Sequence, residues 1–339
     1  MKRLSILLSV LVITLLVISL VISCATKPKE AVILRMAVPQ AAGDPITENL
    51  EEMAKRFNER ADGEYQINVF PGETLVKMME ALDSVRTGAV EMSAGVPWPL
   101  FAGSDKRFGE LIHVFNNYHA CATAAQDPEL FKLHDDIFLD KFNQHALAVF
   151  PFETPQLIST KPVKTLEDWK GLLVAVPAPV AADYVTLLGG ASVSMPWTDY
   201  YSALEKGVVD AAIAGTNHMQ TAKLTDVASY VTICTPYGIF AGHTINLDVW
   251  NAMPKNIQDI LVEEAAWSAQ GIAEYLGVIV DNEVGDLTAL EMDVYTVPAA
   301  ERDKWKAATQ SYVDQQLAEM GEFGQKIKQI ADKANALNP

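Results

Sequence analysis

Cysteine is scarce: the 339 residues carry three, Cys24, Cys121 and Cys234, at no short spacing. That excludes a disulfide scaffold and a thiolate zinc cluster, both of which need closely repeated cysteines. Basic residues are few as well. Lys and Arg total 26 against 43 Asp and Glu, a formal charge of −17, which opposes binding to nucleic-acid phosphate or anionic lipid headgroups. No G-x-S-x-G, H-E-x-x-H, G-x-x-x-x-G-K-[ST] or G-x-G-x-x-G pattern occurs, so no catalytic residue, resident metal or cofactor is expected. His134, Asp135, Asp136 and Asp140 could be combined on paper as metal ligands; a solvated helical face is the simpler expectation, because adjacent residues do not share a face. Internal repeats, low-complexity tracts and long linkers are missing too. What is present is a globular composition, 50% hydrophobic and 20% charged, in a chain longer than one domain of roughly 100–200 residues. Two lobes are expected.

The first residues read as an export segment. Lys2 and Arg3 precede an uncharged run, Leu4–Ile22, broken only by Ser and Thr. Such a run is long enough to span a bilayer, for which about 20 apolar residues suffice, or to act as a secretory signal. Val21-Ile22-Ser23-Cys24, followed by polar residues, resembles a bacterial lipobox, in which a Cys is lipidated and becomes the mature N-terminus. The expectation is a signal peptide at 1–23, a lipid on Cys24, a tether at 24–31 and a globular part outside the cytoplasm. An uncleaved membrane anchor is the alternative. Removing 1–23 leaves 24 basic against 43 acidic residues, a charge of −19. Cys121 and Cys234 would then be the thiols of the folded part, expected as two separately buried groups.

Hydrophobic periodicity supplies the fold class. Val32–Val38 alternates like a strand; Asp44-Pro45 suits a helix start, with Ile46, Leu50, Met53 and Phe57 at helical spacing. Tyr65–Phe70 and Ala89–Val96 are strand-like, with a helical stripe from Leu75 to Val85 between them. A comparable alternation recurs from Ala146 to Ile213, and the last third is largely helical, at Asn256–Leu290 and Ala299–Leu337. Alternating β and α segments predict an α/β protein with mostly parallel sheets. The expected division places lobe I at 32–150 plus about 240–260, and lobe II at 151–239 plus about 290–320. A long helix at about 256–290 spans both lobes, and 321–339 forms a helical tail.

Several segments carry a family likeness. Val163–Gly171 (VKTLEDWKG) leads into Leu188-Gly189, then Met195-Pro196, Tyr201, Ala203-Leu204, Gly207, Val209 and Asp210. Earlier stand Val69-Phe70-Pro71-Gly72 with Leu75, and Val85-Arg86-Thr87-Gly88-Ala89; later come Asn246 and Trp250–Pro254. In this order the segments resemble the DctP-type solute-binding proteins of TRAP transporters, from about Val32 to the C-terminus. The resemblance implies a two-lobed periplasmic-binding-protein fold with hinge strands and a helical C-terminal region. It also implies a non-enzymatic receptor that closes on a small organic ligand and delivers it to a membrane permease driven by an ion gradient.

The chain departs from that family at the ligand. Most members place an Arg on the strand after the "K-G" turn, paired with the ligand carboxylate; here the position is Ala175. A second polar clamp, usually Asn, falls at Ala214, and no Arg occurs between Arg107 and Arg302. An unpartnered buried carboxylate is unfavourable, so a simple dicarboxylate or sialic acid is expected to bind poorly. Candidate ligand contacts are Trp98, Phe152, Trp197, Asn217, His218, Phe240 and His243, with Glu153 beside the presumed crossing between lobes. Each aromatic could equally be core, and each His a structural one. An aromatic or largely apolar ligand is expected, in the form of a monocarboxylate if acidic. Two rivals are a lipoprotein reporting occupancy to a membrane sensor and an extracytoplasmic enzyme on the same fold.

Overall fold

The computed structural model describes residues 31–98, 111–152 and 154–339. The expected signal peptide, Cys24, the tether up to residue 30, Arg107 and Glu153 lie outside the described residues.

Strand β1 (Val32–Ala37) turns Leu34 and Met36 inward, and helix α1 (Pro45–Arg60) buries Ile46, Leu50, Met53 and Phe57 against it. Asp44 caps that helix by accepting the Ile46 N–H at 2.8 Å, while Pro45 occupies the first turn where no donor is needed. Strand β2 (Tyr65–Phe70) and, after the short helix α2 (Ala81–Arg86), strand β3 (Met92–Pro97) flank β1 in parallel. Helices α3 (Tyr118–Ala125) and α4 (Pro128–Lys141) then lead into β4 (Gln144–Pro151).

The chain next crosses to a second sheet. Strands β5 (Pro155–Ser159), β6 (Leu173–Val176), β7 (Ala191–Ser194), β8 (Ala211–Gly215) and β9 (Tyr230–Ile233) belong to it. Helices α5 (Pro179–Leu187), α6 (Tyr200–Glu205) and α7 (Thr216–Thr221) connect them. Strand β10 (Phe240–Asn246) returns to the first sheet, and helix α8 (Leu247–Ala252) precedes helix α9 (Lys255–Ala289), 35 residues long. Strand β11 (Asp293–Thr296) rejoins the second sheet, and α10 (Ala299–Glu319) and α11 (Glu322–Leu337) close the chain.

The sheet orders are β2-β1-β3-β10-β4 and β11-β9-β5-β8-β6-β7. Five of the nine strand pairings are parallel, so both sheets are mixed. The antiparallel pairs have one origin: β5 and β10 are laid down as the chain crosses between sheets, entering opposite to their neighbours. The two crossings are themselves joined. Phe240 pairs with Pro151, and the Phe152 N–H donates to the Ile239 carbonyl at 2.7 Å.

Helix α9 ties the two halves together. Its Ile257, Leu261, Ala265, Ile272 and Leu276 enter the core of the first sheet, while Leu287 enters the core on one face of the second. Arg56 and Arg60 on α1 hold the buried Glu264 of α9 at 2.5 and 2.6 Å. No helix among the described residues is long and apolar enough to cross a membrane. The helical stretch expected over Ala299–Leu337 turns at Gly321, where the expected tail begins, and the φ of +59° there favours glycine. Cys121 and Cys234 are both free and buried, and burial raises the Cys234 thiol to about 12.

Candidate functional site

Proline ends several strands of the second sheet at one edge: Pro177 follows β6, and Pro155 begins β5 beside Gly215 of β8. Without an N–H, proline cannot extend a ladder, so the backbone leaves the sheet there and a small pocket of about 30 Å³ remains between the strand ends. Phe152 and Ile239 close it from the two crossings, and Trp197, Ala214, His218 and Tyr237 complete most of the wall. The described residues that line it include no Asp, Glu, Lys or Arg.

Two buried polar atoms at or beside this wall lack a hydrogen-bond partner. Helix α7 starts directly after β8 and carries His218, whose Nε2 is buried with no hydrogen-bond partner. Its ring lies 5.5 Å from that of Trp197 and 6.3 Å from that of Tyr200. The Tyr200 hydroxyl is likewise buried and unpartnered. Burial holds the His218 pKa below its ordinary value, against an opposing hydrogen bond with the Trp197 backbone. The imidazole is therefore neutral near pH 7, able to donate or accept one hydrogen bond but carrying no charge.

Behind the wall lies an acid. Glu283 of α9 is buried; its Oε2 accepts from Thr216 Oγ1 at 2.8 Å, and its Oε1 accepts a weaker bond from Gln156 Nε2 at 3.5 Å. Gln156 Oε1 in turn accepts the N–H groups of Cys234 and Thr235 at 2.8 and 2.9 Å. Burial raises the Glu283 pKa, and the bonds from Thr216 and Gln156 oppose that shift.

Of the residues singled out from sequence, the pocket gathers Phe152, Trp197, Ala214 and His218. Asn217 neighbours His218 on α7 but does not line the pocket. Ala175 is fully buried in the core with Tyr200 and Leu204. Trp98 is wedged edge-on against His134 at 5.3 Å and Phe138 at 4.9 Å, in a core of its own. Phe240 packs on Phe115 at 5.4 Å, and His243 lies 5.5 Å from Phe150. His134 is wholly buried instead of lying on a solvated face, because α4 turns it toward Trp98. Among the described residues no His, Cys, Asp or Glu group is arranged to hold a metal.

Tyr200, Tyr237 and Glu283 were not evident in the sequence as neighbours of the site. The prolines at strand ends were a usable signal, since they mark where backbone leaves the sheet. A wider open trough runs between α3, β4 and α9, with Asp127, Glu274 and Asp281 among its residues. It encloses less and repels anions, and none of the residues expected to bind ligand lines it.

Comparison with known proteins agrees on one architecture. The model of the DctP family, bacterial extracellular solute-binding protein, family 7, matches residues 36–320. The C4-dicarboxylate-binding periplasmic protein DctP of Rhodobacter capsulatus is 23% identical over 280 residues, covering 80% of this chain and 81% of the relative. A TRAP periplasmic solute-binding protein from Ochrobactrum anthropi, with a C-terminus bound in its ligand-binding pocket, superposes with a TM-score of 0.81. That pair is 21% identical and covers 91% of this chain and 97% of the other. A marine metagenome TRAP solute-binding protein specific for pyroglutamate gives a TM-score of 0.80 at 19% identity, over 90% of this chain and 100% of that one. At such identities the solved structures report a shared fold.

Proposed function

The chain belongs to the DctP family of bacterial extracellular solute-binding proteins, and from that premise we propose that its pocket takes a compact, largely apolar or aromatic ligand. The protein is an extracytoplasmic TRAP-type solute-binding receptor and not an enzyme. The observation that carries the ligand reading is the buried, unpartnered Nε2 of His218 in a wall whose described residues include no Asp, Glu, Lys or Arg. A buried polar atom left unpaired is unfavourable, so a ligand that supplies its hydrogen bond is selected. The Tyr200 hydroxyl beside it is a second unpaired group of the same kind. A dianion would find no cation among these residues; a single carboxylate, or a lactam or ring carbonyl, could be met by neutral donors.

Capture proceeds by closure of the two lobes, taken as 32–150 with about 240–260 and 151–239 with about 290–320. Phe152 and Ile239, bonded across the two crossings, sit where the lobes articulate and touch the ligand space directly. Contacts from both lobes then favour the closed state. The loaded receptor hands its ligand to the membrane subunits of a TRAP-type permease, while a lipid on Cys24 holds it at the membrane surface. Asn217 stands beside His218 on α7, while Ala175, Trp98, Phe240 and His243 belong to the packed cores around the two sheets. Calorimetric titration with aromatic monocarboxylates, pyroglutamate and succinate tests this reading. Submicromolar succinate binding together with no response to the other ligands would overturn it.

A further inference from the structure

Four of the five described arginines, Arg35, Arg56, Arg60 and Arg86, hold a carboxylate partner. Arg302 does not. On a chain of charge −17 an arginine without a carboxylate partner is an unusual position. The Arg302 Nε is buried with no hydrogen-bond partner, and Nη2 reaches only the Val297 carbonyl, at 3.4 Å. One helical turn later Lys306 also lacks a carboxylate partner; its Nζ donates to Asn116 Oδ1 at 3.1 Å. Burial, and then the positive charge of Arg302, lower the Lys306 pKa, with Asp303 opposing.

Facing the two cations is His113, whose Nε2 is buried and unpartnered. Its φ of +53° is uncommon for a residue with a side chain, and its N–H donates to the Pro236 carbonyl at 2.9 Å. Its pKa is lowered to about 3, by burial first and then by Lys306 and Arg302, which places the three groups in one electrostatic neighbourhood. His113 and Lys306 line a cavity of about 250 Å³ between α10, α11 and the segment at 112–114, with Arg302 one helical turn before Lys306 and outside the lining. Thr309, Gln310 and Asn335 add polar wall, while Asp332, the one acid there, is held by Lys328 at 2.6 Å.

We propose that His113, Arg302 and Lys306 form an oxyanion-binding site, distinct from the apolar pocket, at the seam between α10, α11 and the 112–114 segment. A phosphate, sulfate or carboxylate group there would pair with Lys306, accept from His113 Nε2 and offset the repulsion between Lys306 and Arg302, one helical turn before it on α10. None of the three residues lines the ligand pocket, so the site does not depend on the ligand reading above.

The probe is inorganic phosphate, with sulfate and acetate as further arms and sodium chloride at matched ionic strength as control. Thermal unfolding of the purified chain should show a saturable rise with phosphate that chloride does not reproduce. Arg302→Gln and Lys306→Gln, made separately, should each weaken the apparent phosphate affinity at least tenfold, and Arg302→Lys should restore part of it. Crystals soaked in tungstate should give an anomalous peak between His113 and Lys306. A phosphate response no larger than that of chloride, a full response in both glutamine variants, or a tungstate peak only elsewhere would each overturn the proposal. If one glutamine variant fails to fold, the other and the soak still decide it.

Discussion

Thr216 Oγ1 donates to Glu283 Oε2 at 2.8 Å, so the first residue of the helix that carries His218 is fastened to the long helix α9. The wall of the pocket therefore rests on an element whose other end enters the core of the first sheet, and the fastening is an acid held away from water.

Because burial raises the Glu283 pKa, the folded chain binds its proton more tightly than the unfolded chain does. Stability from this group is thus greatest below the ordinary carboxyl pKa and falls as pH rises from there through the folded value. Glu283→Gln should flatten that part of the pH–stability curve and leave neutral-pH stability equal or higher. Urea titrations from pH 4 to pH 8 would show it; a steeper decline in the variant would contradict the assignment.

Replacing His218 by Leu removes an unpaired buried nitrogen and a ligand contact together. The melting temperature should hold or rise, while ligand affinity falls about tenfold, the equivalent of roughly 1.4 kcal/mol, as expected for one hydrogen bond. Equal affinity in the two proteins by calorimetric titration would separate His218 from the ligand.

Ala175→Arg restores the residue usual at that position in DctP-type receptors, yet Ala175 is fully buried beside Tyr200 and Leu204. A guanidinium there has no partner, and an uncompensated buried charge costs roughly 3–5 kcal/mol. The expected outcome is a lowered unfolding midpoint with no gain of succinate binding. A variant of native stability that binds succinate would show the position opening onto the ligand.

Three further histidines set the acid limit. Burial lowers the pKa of His113 and His134 to about 3 and that of His243 to about 4. Each is depressed below its unfolded value near 6.5, so its contribution is complete above that pH and drains away as pH falls toward 4. Stability should therefore decline from pH 6.5 downward, and His134→Phe should make the decline shallower.

Gly242 stands where β10 passes the Trp98 ring: a Cβ there would lie 2.1 Å from Trp98 and 2.2 Å from the Ala148 carbonyl. Neither neighbour can move freely, since Trp98 is locked between His134 and Phe138. Gly242→Ala should lose at least about 1–3 kcal/mol in chemical denaturation. An unchanged midpoint would mean that β10 can shift.

Much of this architecture was legible from periodicity, because strands and helices in α/β lobes bury one face each. Asp44-Pro45 predicted the start of α1, and the apolar stripe from Asn256 to Leu290 predicted α9. The mixed strand directions were not legible, since direction depends on which sheet a strand joins after crossing. The site was legible only in part. Phe152, Trp197, Ala214 and His218 lie near prolines and strand ends, which sequence reveals. Trp98, Phe240 and His243 have the same local signature but turn into cores built from distant segments. Glu283 gave no signal at all: its burial follows from α9 packing against α7 and β11, a tertiary fact.

Helix α9 has a mechanical consequence. At about 1.5 Å per residue its 35 residues form a rod of roughly 52 Å, clamped near one end by Arg56 and Arg60 through Glu264 and near the other by Thr216 through Glu283. Such a rod acts as a strut. It ties the wall that carries His218 to the arginine clamp on Glu264, so a substitution that loosens one anchor should be felt at the other.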